Sequence, residues 1–538
     1  MIQTDFSDFS LLFPDAATKR AHYEGKARAR IDDFTLEELG LTEVLPLKNS
    51  DLSEFITADP AVILYRQGVF GDMLAHEEIG ATISRLMPIL FDIMELRRLQ
   101  AEGNEGDDYL SSMTEIELYI ASVDILYRGI GANREKFQST AFSELAAYIA
   151  ELVESEYYKE LNERLAELTR RVREIKSVTI GVNLDAQLRP REAGVLAINA
   201  ESFRSGDTLQ KILHIGERDD RFTCIAALTP FGKKQSENQK TALSMAFHSA
   251  INEVYRQSLR SWKRIVREYV LDNTDFLLSL LPEFEFLQKG TNLLRALQIK
   301  GNVISLPKIC PAAARVFRAT ALYNPAVALK VEGAVVTNDF AFDEKAAIFV
   351  LTGPNRGGKS VITCAVGLCK AMAQLGLPVP AAEAELSPVD GIFTHFPTGA
   401  DDTIDKGRLG EECARLGEIF DLISAESLVL LDESLSSTGS FEASYIAAEV
   451  LAGLSRVGCH CLFSTHLHEL ASSVPEINAR SVENGGVRID TLVAGIEEGK
   501  RSFKIHRMRP DGKSYARDIA DKYGLSFENL MGGAKENK

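Results

Sequence analysis

The sequence predicts an α/β domain on a parallel sheet at the C-terminal end of the chain, preceded by a mainly α-helical region carrying a small β insertion. Three observations carry that prediction. Short apolar runs ending in polar or acidic clusters recur between Ile348 and Leu470. The pattern Gly353-x4-Gly358-Lys359-Ser360 follows the first of them. Upstream, helical periodicity dominates and gives way once to period-two alternation.

The first run, Ile348 to Leu351, contains no polar residue and reads as a strand buried on both faces. The glycines after it let the backbone wrap a phosphate, with N–H groups and the next helix's N-terminus aimed at negative charge. Gly353, Pro354, Asn355, Arg356, Gly357, Gly358 and Val361 are candidate nucleotide contacts in this P-loop. Lys359 can reach the β- and γ-phosphates of ATP, and the Ser360 hydroxyl can ligate Mg²⁺. Residues 361–375 are expected to be helical. The second run, Leu428 to Leu431, ends in Asp432-Glu433. That pair places Asp432 near a metal and Glu433 near an attacking water; the alternative is a strand capped by two solvated carboxylates. The third run, Cys461 to Ser464, leads to His466, a candidate γ-phosphate sensor or a structural strand-end histidine.

Upstream, Thr114-Glu-Ile-Glu117 fits a capping box that starts a helix, with Ile116, Ile120, Val123 and Tyr127 at helical spacing. A stretch from Thr140 to about Arg173 runs past thirty residues without Pro or Gly and predicts one long helix. Then Val178, Ile180, Val182 and Leu184 alternate, residues 185–194 supply a turn, and Leu196 and Ile198 alternate again, a hairpin signature. After a polar loop at 232–240, helix is expected over 241–271 and intermittently to about Leu297.

Composition adds bounds. At 538 residues with 45% apolar content, two to four domains are expected. No run approaches the roughly 18–20 apolar residues of a membrane span, and the N-terminus lacks a basic region followed by an apolar one. Seven scattered cysteines without a CxxC pair fit a reducing, cytoplasmic setting, with Cys459 and Cys461 expected in packing. The net charge is −17, yet residues 161–270 hold 19 Lys and Arg against 13 Asp and Glu, a net of +6, so the remainder carries −23. A basic middle in an acidic chain points to a placed polyanion contact or to solvated helix faces.

Six segments resemble the MutS family of DNA mismatch-repair ATPases: GPNRGGKS (353–360), VPAAEAEL (379–386), IFTHF (392–396), SLVLLDE (427–433), STHLHEL (464–470) and KSY (513–515). TNDFAF (337–342) resembles the lead-in to the P-loop strand, and 51–74 more loosely resembles the entry to the helical core. The resemblance implies an ATPase domain of ABC/MutS type at 331–538, a helical core and lever domain at 51–330, a clamp-like β insertion at 175–245 and an N-terminal extension at 1–50. It implies ATP and Mg²⁺ as cofactors, and adds Asn338 and His506 as nucleotide contacts. It further implies a homodimeric clamp on double-stranded or branched DNA, in mismatch repair or a related repair or recombination pathway, with a downstream repair protein as a further partner and no membrane. Arg189, Arg191, Lys233, Lys234 and Lys240 are the phosphate-contact candidates of the clamp. Only about fifty residues precede Asp51 and none forms a Phe-x-Glu wedge, so little mismatch preference is expected; the chain also ends within about 25 residues of KSY.

The chain departs from the family pattern where partner subunits meet. The Ser-Thr-Phe triplet that reaches into the partner's ATP site is replaced by Gly407-Arg408-Leu409, with Glu412 at the following acidic position. Leu435-Ser436-Ser437-Thr438 stands in place of Gly-Arg-Gly-Thr, and Arg356 and Val361 replace a common Met and Thr. Gly407, Arg408 and Ser437 are therefore the trans-site candidates, with Arg408 either an arginine finger or a partner of Glu411 or Glu412 on its own helix. Two alternatives stay open. An ABC-transporter ATPase subunit shares the P-loop, acidic pair and histidine, but no LSGGQ-like run precedes the acidic strand. A nucleotide-switched scaffold that binds protein and no DNA is the other.

Overall fold

Caps set the first helices. Asp15 accepts a hydrogen bond from Thr18 N at the start of α1 (Ala16–Tyr23), and Asp32 accepts one from Thr35 N at the start of α2 (Asp33–Leu39). Gly40, at φ 73°, ends α2 and leads into α3 (Leu41–Val44) and α4 (Asn49–Phe55). Asp59 caps α5 (Pro60–Ala75), with Pro60 at its first position. The computed structural model describes residues 9–102, 109–173, 176–188, 190–199, 201–202, 204–205, 223–224, 271–343, 345–396, 408–497 and 500–509. Two units result: one holds 78–137 and 142–284, the other 9–77, 138–141 and 285–538.

The first unit is helical. It contains α6 (Glu77–Glu102), α7 (Tyr109–Gly129), α8 (Thr140–Glu154), α9 (Glu156–Arg173), and, past the hairpin, α10 (Leu271–Ser279). Its core includes Leu90, Val123, Phe142, Ile149 and Leu161, all 2% exposed or less. Arg97 on α6 joins Glu115 of α7 and Asp275 of α10, tying three helices with one guanidinium. Two sequence expectations are corrected here. Thr114 does not cap a helix, because α7 already begins at Tyr109; Leu110 and Met113 continue the spacing of Ile116 and Ile120, so the apolar period prolongs the helix through the box. The single helix expected over 140–173 is two, broken at Ser155, whose hydroxyl bonds Leu152 O and accepts from Tyr158 N. The hairpin forms as expected from β1 (Ser177–Leu184) and β2 (Pro190–Asn199), antiparallel, although β2 starts four residues before the expected end of the turn. Arg191 lies on β2; Arg189, Lys233, Lys234, Lys240 and the helix expected over 241–270 lie outside the described residues.

The second unit continues with α11 (Leu281–Ile299), β3 (Lys308–Ile309), β4 (Phe317–Leu322), α12 (Pro325–Lys330), β5 (Asn338–Phe342), β6 (Ile348–Thr352), α13 (Lys359–Gln374), β7 (Glu383–Leu386) and β8 (Ile392–His395). It ends with α14 (Arg408–Leu422), β9 (Leu428–Asp432), α15 (Ser440–Val457), β10 (His460–Ser464), α16 (His468–Val482), β11 (Ile489–Glu497) and β12 (Lys500–Arg507). The main sheet runs β8-β9-β10-β6-β11-β12, parallel except for β12 at one edge. A smaller sheet runs β3-β7-β4-β5. One face of the main sheet packs Val350, Leu431 and Phe463 against α15 and α16, and Cys459 and Cys461 sit in that core as expected. Across the other face lies α13, whose Gly367 lets it approach Leu430 of β9.

Residues 9–50, expected as an extension, and residues 51–57 after them fold onto this unit. Arg30 bridges Gly391 in parallel, with its N–H on Asp390 O at 2.8 Å and its carbonyl taking Ile392 N at 2.9 Å, so the strap lengthens the β8 edge. Leu11, Leu12 and Phe13 are at most 1% exposed. Arg66 of α5 is fully buried, donating to Leu12 O at 3.0 Å and to Phe55 O, with its guanidinium 4.9 Å from the Phe13 ring centroid. Among the described residues no helix is long and apolar enough to cross a membrane.

Candidate nucleotide site

Parallel pairing brings the carboxyl ends of β6, β9 and β10 side by side: Asp432 stands opposite Ser464, and Ser464 opposite Leu351. Ligands of open parallel sheets bind at such ends. Between β6 and α13 the P-loop turns back on itself. Gly353 (φ 140°) and Gly358 (φ 91°) have conformations that side chains rarely adopt, and Arg356 is left-handed at φ 60°. A Cβ on Gly353 would meet Ala494 Cβ at 2.7 Å, and one on Gly357 would meet Pro354 O at 2.7 Å. The loop is closed to anything larger than glycine at both places.

Lys359 is 4% exposed, and its Nζ donates to Gly353 O at 3.3 Å and Pro354 O at 3.4 Å. The same ammonium lies 3.7 Å from Glu433 Oε1. These are contacts that phosphate oxygens seated in the loop would replace. Thr363, one turn into α13, donates to Ser464 Oγ at 3.2 Å and so fastens the helix to β10.

Asp432 is 6% exposed, and burial pushes its carboxyl above the usual carboxylate range; Glu433 adds to that, while Ser360, Ser464 and Lys359 oppose it. Its Oδ1 is buried with no hydrogen-bond partner. A buried carboxylate oxygen without a donor, with the Ser360 hydroxyl beside the same carboxylate, is a hard-oxygen pair suited to a divalent cation. The residues present therefore fit Mg²⁺. Glu433 is left-handed (φ 47°), and its N–H bonds Ser464 O at 2.8 Å.

A cleft of about 530 Å³ opens beside the loop. Arg356, Gly357, Gly358, Lys359, Ser360, Val361, Asn338 and Glu433 line it, as do Tyr323, Asn324, Val327, Val331, Val336 and Phe503. Its apolar wall with a polar, glycine-rich floor suits a ligand with a flat apolar ring at one end and anionic groups at the other. Asn338 reaches the cleft, but its side chain is engaged: it donates to Phe503 O at 3.1 Å and accepts from Ile505 N at 2.8 Å, pinning β12 to β5.

Not every expected residue gathers here. His466 is exposed on the loop after β10 and is not among the cleft-lining residues. His506 is exposed on β12, opposite Val493. Ser437 is exposed, and its hydroxyl faces the Glu412 carboxylate of the same chain. Gly407 and KSY (513–515) lie outside the described residues, and Arg408 is the first residue of α14. Sequence reading missed Phe503, left-handed at φ 56° and 3.3 Å from a Cβ placed on Gly358; nothing local marks it. It also missed Tyr323 and Asn324, although Asn324-Pro325 is a legible helix start.

Two family models match parts of this chain. Residues 349–525 match the family model for MutS domain V, and residues 58–299 match that for the MutS2 N-terminal domain. A DNA mismatch repair protein MutS from Chloroflexus aurantiacus is 33% identical over 223 residues, 40% of this chain and 22% of that protein. The MutS of Thermosipho melanesiensis is 33% identical over 198 residues, 35% of this chain and 24% of its own length. That of Prochlorococcus marinus is 36% identical over 203 residues, 37% and 21%. The chain thus spans less than a quarter of the length of these relatives.

Proposed function

We propose that this chain, a member of the MutS family, binds and hydrolyses ATP with Mg²⁺ in the cleft beside the P-loop, and that the nucleotide state controls DNA binding by a homodimeric clamp in mismatch repair or a related pathway. The observation that carries the ATPase reading is the convergence of buried Lys359, Ser360, the orphaned Asp432 Oδ1 and Glu433 at the ends of three parallel strands. The match of 349–525 to MutS domain V supports it.

Each residue has a part. Lys359 leaves the Gly353 and Pro354 carbonyls and pairs with the β- and γ-phosphates, while the P-loop N–H groups hold the remaining oxygens. Ser360 and Asp432 hold Mg²⁺, which when bound neutralises charge developing on the transferred phosphoryl group. Glu433, freed from Lys359 by the same change, orients and deprotonates the attacking water. Tyr323 and Phe503 supply aromatic surface to the cleft lining. Arg189, Arg191, Lys233, Lys234 and Lys240 supply phosphate contacts from the region around the hairpin, giving affinity without sequence readout.

ATP turnover with and without Mg²⁺ tests the catalytic half. Glu433→Gln should bind ATP and turn over at least about a hundredfold more slowly, and Lys359→Ala should weaken nucleotide binding itself. Wild-type turnover in Glu433→Gln sinks the assignment of the base. Gel-shift binding to homoduplex, mismatched and four-way-junction DNA, each with and without ATP at stated salt, tests the other half. In that assay the preference for a single mismatch should stay under about tenfold, or roughly 1.4 kcal/mol.

A further inference from the structure

The segment that follows the acidic pair is strained twice in three residues: Glu433 has φ 47° and Leu435 φ 66°. Left-handed backbone costs a side-chain-bearing residue on the order of 1–2 kcal/mol and persists only where surrounding contacts over-determine it. Ser464 O at the end of β10 takes the Glu433 N–H at 2.8 Å, and the contacts to the residues after it come from two neighbouring elements, β8 and α14.

His395, the last residue of β8, stands opposite Leu431 of β9 and is 2% exposed. Its Nδ1 lies 2.8 Å from Ser434 Oγ, and that hydroxyl donates to His395 O at 2.8 Å. A hydroxyl has one proton, and here the carbonyl takes it. With the ring contact at Nδ1, this closes a two-bond clasp around Ser434. Burial, with Arg415 behind it, holds the imidazole pKa down to about 4, so the clasp works with a neutral ring. On α14, the Glu412 carboxylate faces the Leu435 N–H and the Ser437 hydroxyl. One turn further along, Arg415 donates to Thr394 O at 3.1 Å and pairs with Glu38 at 2.8 Å, locking α14 to the β8 end. Leu435 itself is 1% exposed in the core. Residues 434, 435 and 437 are thus each held by a side chain or by packing, and none of the holding groups lines the cleft.

We infer that His395, through Ser434 and helped by Glu412, is a positioning residue for Glu433: the clasp keeps the backbone turned so that the Glu433 carboxylate faces the P-loop instead of solvent. Nothing in the P-loop or the acidic pair supplies this constraint, since the Glu433 carboxylate touches only Lys359 among the described ion pairs, a contact that nucleotide would withdraw. Once Lys359 turns to phosphate, the loop alone aims the base. The inference rests on the ATPase reading above.

The test separates the two. Nucleotide affinity is measured with a fluorescent ATP analogue and turnover by phosphate release, for wild type, Glu433→Gln, Ser434→Ala, His395→Leu and His395→Asn, with circular dichroism and thermal melting for each. Ser434→Ala and His395→Leu should lower kcat roughly 10- to 100-fold, the loss expected when a reacting group is misplaced by about an ångström. KM and nucleotide affinity should stay within about twofold of wild type. His395→Asn, whose amide can donate from nearly the Nδ1 position, should recover most of kcat. In a Glu433→Gln background His395→Leu should cause no further loss, because the group it aims is already gone. A wild type without ATPase activity removes the reading and the inference together. An active wild type in which Ser434→Ala and His395→Leu keep kcat, or lose affinity in step with kcat, or add their loss to that of Glu433→Gln, removes the inference alone. If His395→Leu fails to fold, Ser434→Ala, which deletes one oxygen, decides the matter by the same criteria.

Discussion

Acidification from about pH 7 to about pH 5 is expected to remove roughly 4 kcal/mol of stability from the ATPase unit through two histidines. His460 opens β10, 8% exposed, stacked on Phe342 with ring centroids 4.3 Å apart. Burial first, then Lys370 and Arg315, hold its pKa down to about 3. His395 is held to about 4 by burial and Arg415. Both stay neutral in the fold long after an unfolded histidine, near 6.5, has taken a proton. A folded pKa below the unfolded one means stability is fully present above the unfolded value and is lost as pH falls toward the folded one. At pH 5 both folded rings are still neutral, so the loss depends on the unfolded value alone: about 1.5 pH intervals at 1.36 kcal/mol each, or about 2 kcal/mol per ring. Burial raises Asp432 and Glu412, which oppose the trend, so the comparison is made against a variant. His460→Phe keeps a flat ring on Phe342 and cannot be protonated. Urea unfolding of both proteins at the two pH values should show wild type losing about 2 kcal/mol more than the variant. An equal pH response in the two proteins refutes the reasoning.

Gly353→Ala should weaken nucleotide binding at least about tenfold and lower stability by about 1–3 kcal/mol, because the new Cβ would stand 2.7 Å from Ala494 Cβ at a φ of 140°; fluorescent-analogue titration and melting check both. Replacing Lys233, Lys234 and Lys240 together by Gln should flatten the slope of log K against log salt for DNA by up to about 2.7 if all three touch phosphates. An unchanged slope moves the DNA track elsewhere. Mixing Lys359→Ala with Arg408→Ala should restore part of the ATPase activity if Arg408 reaches the neighbouring subunit's γ-phosphate, since one mixed site keeps both residues. Absence of recovery, with subunit exchange demonstrated, makes Arg408 a structural residue of α14.

What the sequence made legible is what local chemistry writes down. Ile348 to Leu351, Leu428 to Leu431 and Cys461 to Phe463 became adjacent parallel strands because a run without charged or strongly polar residues has few places to go except the middle of a sheet. The P-loop glycines announced their backbone through spacing. Non-local docking was not legible. Arg66 reads as a charged residue on a mainly apolar helix, yet it is fully buried because Leu12 and Phe55, up to 54 positions away, offer it carbonyls. Phe503 reaches the cleft through the pairing of β12 at a sheet edge, a placement no window of sequence contains. The break at Ser155 escaped because serine is compatible with a helix and stops it only when its hydroxyl turns to the backbone. The capping box at Thr114 failed the other way: its motif was present, but apolar spacing on both sides outweighed it.

The strap of residues 9–57 has a consequence in time. The ATPase unit is completed by pieces that leave the ribosome far apart: 9–77 first, 285–538 last, with the whole helical unit synthesised between them. At about 5–20 residues per second, some tens of seconds separate the emergence of Leu11, Leu12 and Phe13 from that of β8 and β9, the far edge of the sheet on which Arg30 lies. During that interval the segment has its partners within 9–77, Arg66 among them, and lacks the sheet, while the helical unit is free to fold. A fragment begun near residue 331 would meet the converse problem permanently, with a bare β8 edge able to recruit another chain. Expression of the ATPase half therefore calls for residues 9–77 to be supplied with it, in the same chain or as a separate peptide.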